Sequence, residues 1–271
     1  MSSEGESLKT ANDSGFPLQI AVERQVSDNP SAHGWRVRHT EHSWVDREQG
    51  ESGFIDLVLQ NQHNTIYLVL ECKRVRNATW VFLHPDGISA PSRQSKAWVT
   101  NYGSGRMLHY GWHDVIADPP CPEGMFCAIR GQSANEKQTM LERTAAELVT
   151  ATEALATEER DLRSADFPSF RMYFSVIITT AELKIAEFNP SSISLSDGLI
   201  PEANVRDVPY VRFRKQLSQQ RAALSPIDYS SGNDLNFARQ SSLFVVNAAA
   251  LPTFLRAFNV ASDGLRRFHS A

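Results

Sequence analysis

The sequence predicts an α/β domain with a mixed central sheet flanked by helices and extra strands toward the C-terminus. Three observations lead there. Short β-branched and aromatic runs recur at 35–44, twice within 53–75, and at 124–131, 169–180, 183–189, 209–215 and 242–247. Helical spacing marks 16–28, 90–105, 135–164 and 250–258. The helices are interspersed among the strands rather than segregated from them, which favours a sheet covered by helices.

Each element has a local reason. The opening MSSEGESLKTANDSG is small and polar, predicting a flexible N-terminus (1–15) ahead of one domain over 16–271. FPLQIAVERQVSD (16–28) spaces Phe16, Ile20, Val22 and Val26 mostly as a helix does, with Pro17 near its start. WRVRHTEHSW (35–44) alternates only partly, with Trp35, Val37, His39, Glu41 and Ser43 on one face. GFIDLVLQNQHNTIYLVLECKRV (53–75) reads as two strands joined at His63-Asn64, since Asn tolerates the positive φ of a tight turn. APSRQSKAWVTNYGSG (90–105) predicts a helix with Ser92 as N-cap and a glycine stop. The longest helical signal, 135–164, sets Leu141, Ala145, Leu148, Thr152 and Leu155 in one stripe. That stripe packs on its own sheet or on a second copy, so a homodimer is worth testing.

Composition narrows the class. Apolar residues are 41% of 271, enough for a sizeable core without covalent staples. A net charge of −4 excludes a protein basic all over but leaves room for local basic patches. The three cysteines, Cys72, Cys121 and Cys127, suit a reducing compartment and buried thiols, and no His/Cys pair follows at zinc spacing. The N-terminal stretch has no apolar centre and no run approaches 18 apolar residues. Neither a signal peptide nor a spanning helix is therefore predicted, and a cytoplasmic location is expected.

The chemistry concentrates in the hairpin at 53–75, where Asp56, Glu71 and Lys73 interrupt an otherwise apolar run. With the turn at His63-Asn64, position 56 falls opposite 71, and 54 opposite 73. Directly opposed residues share a face with Cβ atoms about 4.5–5.5 Å apart. Two such carboxylates repel each other, and burial raises the cost. A hard divalent cation or a nearby ammonium would offset it. Lys73, two residues from Glu71, points to the same side. The chain holds six Lys against 21 Arg, so a lysine here is a more pointed choice than a generic surface cation. A structural Asp–Glu–Lys ion network is the plainer reading. A second Glu-x-Lys, Glu182-Leu183-Lys184, lacks an opposed strand carboxylate and reads as an exposed strand start.

In these residues the chain resembles the PD-(D/E)XK nuclease superfamily, whose fold is restriction-endonuclease-like. The match is Asp56 on the second strand and Glu71-Cys72-Lys73 ending the third, with Ile55 where the nominal pattern has proline. The order of elements also fits: a leading helix, the motif hairpin, a helix, then a fourth strand. The resemblance covers 16–131 as a motif core and leaves 132–271 as an extension. It implies metal-assisted phosphodiester hydrolysis with Mg²⁺ or Mn²⁺. Asp56, Glu71 and the Cys72 backbone carbonyl would hold the cation, and Lys73 would position water and offset developing charge. Glu23 matches a first-helix glutamate that adds a ligand in relatives, against the plainer reading of a solvated helix face. Gln94, four residues before Trp98, has the spacing of an accessory Gln-x-x-x-Tyr with Trp in place of Tyr; a surface glutamine is the alternative. Glu41 is a weaker ligand candidate.

Arg74 and Arg76 follow the motif, and Arg93 and Lys96 fall on the next predicted helix. Arg206, Arg212, Arg214, Lys215 and Arg221, interleaved with Tyr210 and Phe213, form a stripe suited to a nucleic-acid backbone, or else solvated strand faces. The expected function is a Mg²⁺-dependent DNA endonuclease, with bacterial restriction or defence as a setting. The rival expectations are a catalytically silent nucleic-acid- or protein-binding subunit of an assembly, and a ribonuclease with the same site.

Overall fold

The computed structural model describes residues 3–46, 50–85, 91–103, 106–130, 138–162, 164, 168–217, 236, 238–261 and 268. In chain order these form α1 (Ser3–Asp13), α2 (Phe16–Asp28), α3 (Pro30–His33), β1 (Trp35–Asp46), β2 (Glu51–Asn61), β3 (Ile66–Lys73), β4 (Thr79–Pro85), β5 (Ser92–Gly103), β6 (Arg106–Cys121), β7 (Glu123–Gly124) and β8 (Phe126–Ile129). There follow α4 (Met140–Glu158), β9 (Phe170–Thr179), β10 (Glu182–Phe188), β11 (Asn204–Asp207), β12 (Tyr210–Lys215), β13 (Ser241–Asn247), α5 (Leu251–Ala257) and β14 (Asn259–Val260). The class is α/β, with mixed sheets flanked by helices. Among the described residues no helix is long and apolar enough to cross a membrane.

β9, FRMYFSVIIT, is buried at every position. A strand without polar alternation belongs where both faces are covered. It lies inside a ten-stranded sheet whose main path is β1-β2-β3-β9-β13-β12-β7; β5 pairs with both β9 and β6, and β6 also takes β14. A smaller sheet runs β11-β10-β4-β8. β3 runs parallel to β9, with Leu70 beside Val176, and β9 runs parallel to β13. Parallel neighbours require a crossover. Between β3 and β9 the chain forms β4 and β8 of the small sheet, with β5, β6 and β7 of the large sheet between them, and then α4.

Alternation along the strands divides the core in two. Leu57, Leu59, Leu68, Leu70, Phe174 and Val176 pack on the side of α2 (Val22, Val26) and α5 (Phe254). Val58, Tyr67, Val69, Tyr173 and Ile177 pack with Leu141, Leu148 and Leu155 of α4. α4 opens with a capping box: Glu142 N–H donates to Thr139 Oγ1 at 3.2 Å and Thr139 N–H to Glu142 Oε2 at 3.0 Å. Its stripe is wholly buried against the chain's own sheet, so the seam that suggested a homodimer is already covered.

Two expectations change. The segment expected to be flexible contains helix α1. The helix expected over 90–105 is instead strand β5, paired along its length with β6 and through Trp98–Asn101 with β9. Trp98, Val99, Thr100 and Tyr102 favour a pleated surface, and sheet pairing outweighs the local capping pattern. β3 also finds its neighbour in β9, so strands from before and after position 131 share one sheet. Strands β4 and β6 correspond to no element predicted from sequence.

Candidate active site

β2 and β3 pair with Leu57 opposite Leu70, Val58 opposite Val69 and Leu59 opposite Leu68. This is the register that the turn at His63-Asn64 predicts. Asn64 takes left-handed backbone, φ 55°, and Asn61 Oδ1 accepts the Thr65 and Ile66 N–H groups at 2.9 and 3.1 Å. One step beyond Leu57–Leu70 the same register sets Asp56 across from Glu71. There the ladder changes character: Asp56 Oδ2 accepts the Cys72 N–H at 2.6 Å. Lys73, at the end of β3, donates from Nζ to Glu71 Oε1 at 3.1 Å; the two side chains are 31% and 23% exposed.

A third acid joins from β1. Thr40 pairs with Leu57 and His42 with Ile55, so Glu41 lies abreast of Asp56. Glu41 has φ 51°, an uncommon conformation for a residue with a side chain. Gln19 of α2 donates to Glu41 Oε1 at 2.5 Å and to the Asp56 carbonyl oxygen at 3.2 Å. It is Gln19, then, that ties α2 to the acidic row. Glu23, one turn further on, accepts from Thr40 Oγ1 at 3.3 Å and so sits beside β1. The signal for Gln19 was its place four residues before Glu23, on the helix face that also carries Val22 and Val26.

The electrostatics follow from this crowding. Burial pushes the Asp56 carboxyl up to about 7; the Glu71 charge adds to this, the Cys72 N–H opposes it, Glu41 raises it further and Lys73 opposes it. Burial, then the charges of Asp56 and Glu71, push the Cys72 thiol well up, so it is an inert neighbour.

The donors suit a hard cation: two carboxylates and the Cys72 carbonyl, all oxygen, with repulsion that Lys73 only partly relieves. The expected set needs only these two side chains. Among the described residues no group of three or more His, Cys, Asp or Glu is drawn together as metal ligands are.

The expected basic surface is largely internal. Arg212 is fully buried and Arg214 is 3% exposed. Arg212 donates to the carbonyls of Ser92 at 2.6 Å and Ala117 at 3.3 Å, and lies 4.6 Å from the Phe244 ring centroid. Arg214 pairs with Glu123 at 3.0 Å and donates to the Gln94 carbonyl at 3.2 Å. Lys215 pairs with Glu142 of α4. Lys96, 3% exposed, donates to the Ala238 carbonyl at 2.7 Å and lies 3.7 Å from Asp114. Arg212 and Arg214, held inside by carbonyls and a carboxylate, and the partly exposed Lys215 fasten β12 to β5, β7 and α4, and they form no phosphate-facing stripe. Gln94 is exposed on β5 rather than on a helix, so its spacing to Trp98 no longer carries the accessory role. Arg221 lies outside the described residues.

Arg74 and Arg76 instead line a cleft of about 700 Å³ with Val75, Asn77, Ala78, Thr79, Arg130, Thr180 and Glu182. Arg130 had no sequence signal: it reaches the cleft because β8 pairs with β4. Comparison of the chain with protein-family models, with curated proteins and with solved structures gave no match.

Proposed function

We propose that the chain is a divalent-cation-dependent nuclease that hydrolyses DNA phosphodiester bonds, with Asp56, Glu71 and Lys73 as its catalytic residues. The observation that carries this reading is the β2–β3 hairpin: its register, paired through Leu57–Leu70, extends to Asp56 and Glu71, the Glu71 charge acts on Asp56, and Lys73 Nζ lies 3.1 Å from Glu71. The element order adds support. A helix, three antiparallel strands and a later helix and strand parallel to the third occur here as α2, β1, β2, β3, α4 and β9, with β4 to β8 inserted between β3 and α4; apart from that insertion this is the order expected of the restriction-endonuclease-like fold.

Asp56, Glu71 and the Cys72 carbonyl are the groups that would hold Mg²⁺ or Mn²⁺. A cation bound there would polarise the scissile phosphate and acidify a water. Lys73, about a third exposed at the end of β3, presents an ammonium to an attacking water and to charge building on the phosphate. Cys72 N–H fixes one Asp56 oxygen, leaving the other as the donor. Gln19 holds Glu41 and the Asp56 backbone, and so positions the row without touching substrate.

A second reading, a silent nucleic-acid-binding module, draws on one observation: Asp56 and Lys73 already have partners within the chain. Incubation with linear and circular duplex DNA, single-stranded DNA and RNA, with Mg²⁺ or chelator, separates the two. The nuclease cleaves only with the cation, and Lys73→Ala slows it by about 100-fold or more. Absence of cleavage of every substrate, or cleavage undiminished in Lys73→Ala, rejects the proposal.

A further inference from the structure

We infer that the cleft between the two sheets is the subsite for the phosphate backbone of a nucleic-acid strand running from the Asp56–Glu71–Lys73 centre, with Arg74 and Arg130 as its main contacts. This rests on the nucleic-acid part of the proposed function, not on its hydrolytic part.

The cleft opens where parallel strands end. Lys73 and Thr179 are the last paired residues of β3 and β9, and the next residues, Arg74 and Thr180, both line the cleft. Ligands of open α/β sheets collect at such carboxyl ends. The centre and the cleft are thus consecutive along β3, and a strand bound at Lys73 has the cleft directly beside it.

Its frame is fixed. Val75 N–H donates to Thr180 Oγ1 at 2.9 Å, and that hydroxyl donates to the Val75 carbonyl at 2.8 Å. Asn77 turns the chain with φ 45°. On the far side Arg130 directly follows β8, its N–H on the Thr79 carbonyl at 3.2 Å. Arginines from two distant segments are therefore presented by braced backbone.

The chemistry is anionic recognition. Three arginines and one acid line it, the acid being Glu182, which accepts from Thr79 Oγ1 at 3.5 Å. Arg76 is paired with Asp13 of α1. Arg74 and Arg130 have no ion pair among the described residues. Their planar forks match phosphate oxygens two at a time, which an ammonium does not. The volume lies in the range that holds small ligands, and so accommodates a nucleotide or two.

The test is fluorescence anisotropy with fluorescein-labelled 20-nucleotide single-stranded and duplex DNA in chelator, from low to moderate salt, using the full chain and Arg74→Gln/Arg130→Gln. Glutamine keeps much of each stem, and a thermal melt checks folding; Arg130→Glu alone, at an exposed position, serves if the double variant does not fold. The inference expects wild-type binding, affinity at least tenfold lower in the double variant, and a log K against log salt slope reduced by about one per lost arginine. Whichever probe binds more tightly identifies single strand or duplex as the source of the backbone. Wild type that binds neither probe, or a variant with unchanged affinity and slope, overturns it. Binding lost in the variant while wild type fails to cleave with Mg²⁺ upholds the cleft and rejects hydrolysis. Cleavage by the variant with unchanged KM does the reverse.

Discussion

Asp56→Asn is the substitution that most directly weighs the acidic row. In the folded chain the carboxyl titrates at about 7, against an ordinary value of 3.8. The folded value is raised, so the fold favours the neutral acid. Relative to the unfolded chain, stability from this group is therefore greatest at acid pH and falls as pH rises from about 4 to about 7. Above pH 7 the accumulated penalty is about 4 kcal/mol, at 1.36 kcal/mol for each pH unit between the two values. Asparagine keeps an oxygen for the Cys72 N–H and removes the charge. Urea unfolding in chelator should show wild type losing stability across that window. The variant should stay level there and exceed wild type at pH 8 by roughly 2–4 kcal/mol. Added Mg²⁺ should then stabilise wild type and not the variant, by the logarithmic linkage of ligand binding to folding. Parallel pH profiles, or no gain at pH 8, would refute the claim that this carboxylate is held against its preference. A gain at pH 8 with no response of wild type to Mg²⁺ would leave the penalty real and its purpose something other than cation binding.

Other outcomes follow from internal contacts. Arg212→Met should cost about 2–4 kcal/mol in urea unfolding, since it removes the donor to the buried Ala117 carbonyl and the partly buried Ser92 carbonyl, yet leave oligonucleotide affinity unchanged; weaker binding by a stably folded variant would restore this arginine to the interface. Glu159, near the foot of α4, is held below the ordinary carboxylate range: burial opposes this, but hydrogen bonds from His39 and Tyr173 and the Arg38 charge outweigh it. Its stabilising contribution is present above the unfolded value of 4.5 and is lost as pH falls through the lower folded value. Glu159→Gln should therefore lower stability at neutral pH and flatten the acid limb of the unfolding profile, as read by circular dichroism; an acid limb as steep as wild type would contradict the assignment.

The hairpin was legible because every determinant of its register is local. An asparagine able to turn left-handed and two apolar runs of matched length fix Leu57 against Leu70, and Asp56 against Glu71 follows. α2, α4 and β9 were legible for the same reason, as strong periodic patterns. β5 was not. Its serine cap and glycine stop describe a helix, its Trp98, Val99, Thr100 and Tyr102 favour a strand, and pairing with β6 and β9 on either side decides between them. The arginines of β12 misled because a basic, aromatic alternation looks the same whether it faces solvent or the interior. What decides is the ring of carbonyls and carboxylates around Arg212 and Arg214, contributed by residues about 90–120 positions away. Arg130 was invisible because only the β4–β8 pairing carries it to Arg74.

The position of β9 bears on how the chain reaches this form. Ile66 of β3 lies beside Met172, roughly a hundred residues later, with strands β4 to β8 and α4 made in between. Pairings that distant are slow to form, because the loop entropy is lost before any contact compensates. On a ribosome the apolar rim of the β2–β3 hairpin would wait for its partner until most of the protein had been synthesised. A nascent chain of this design has reason to depend on chaperones, and its yield in a heterologous host should improve at low temperature, where translation is slower and association between exposed rims weaker.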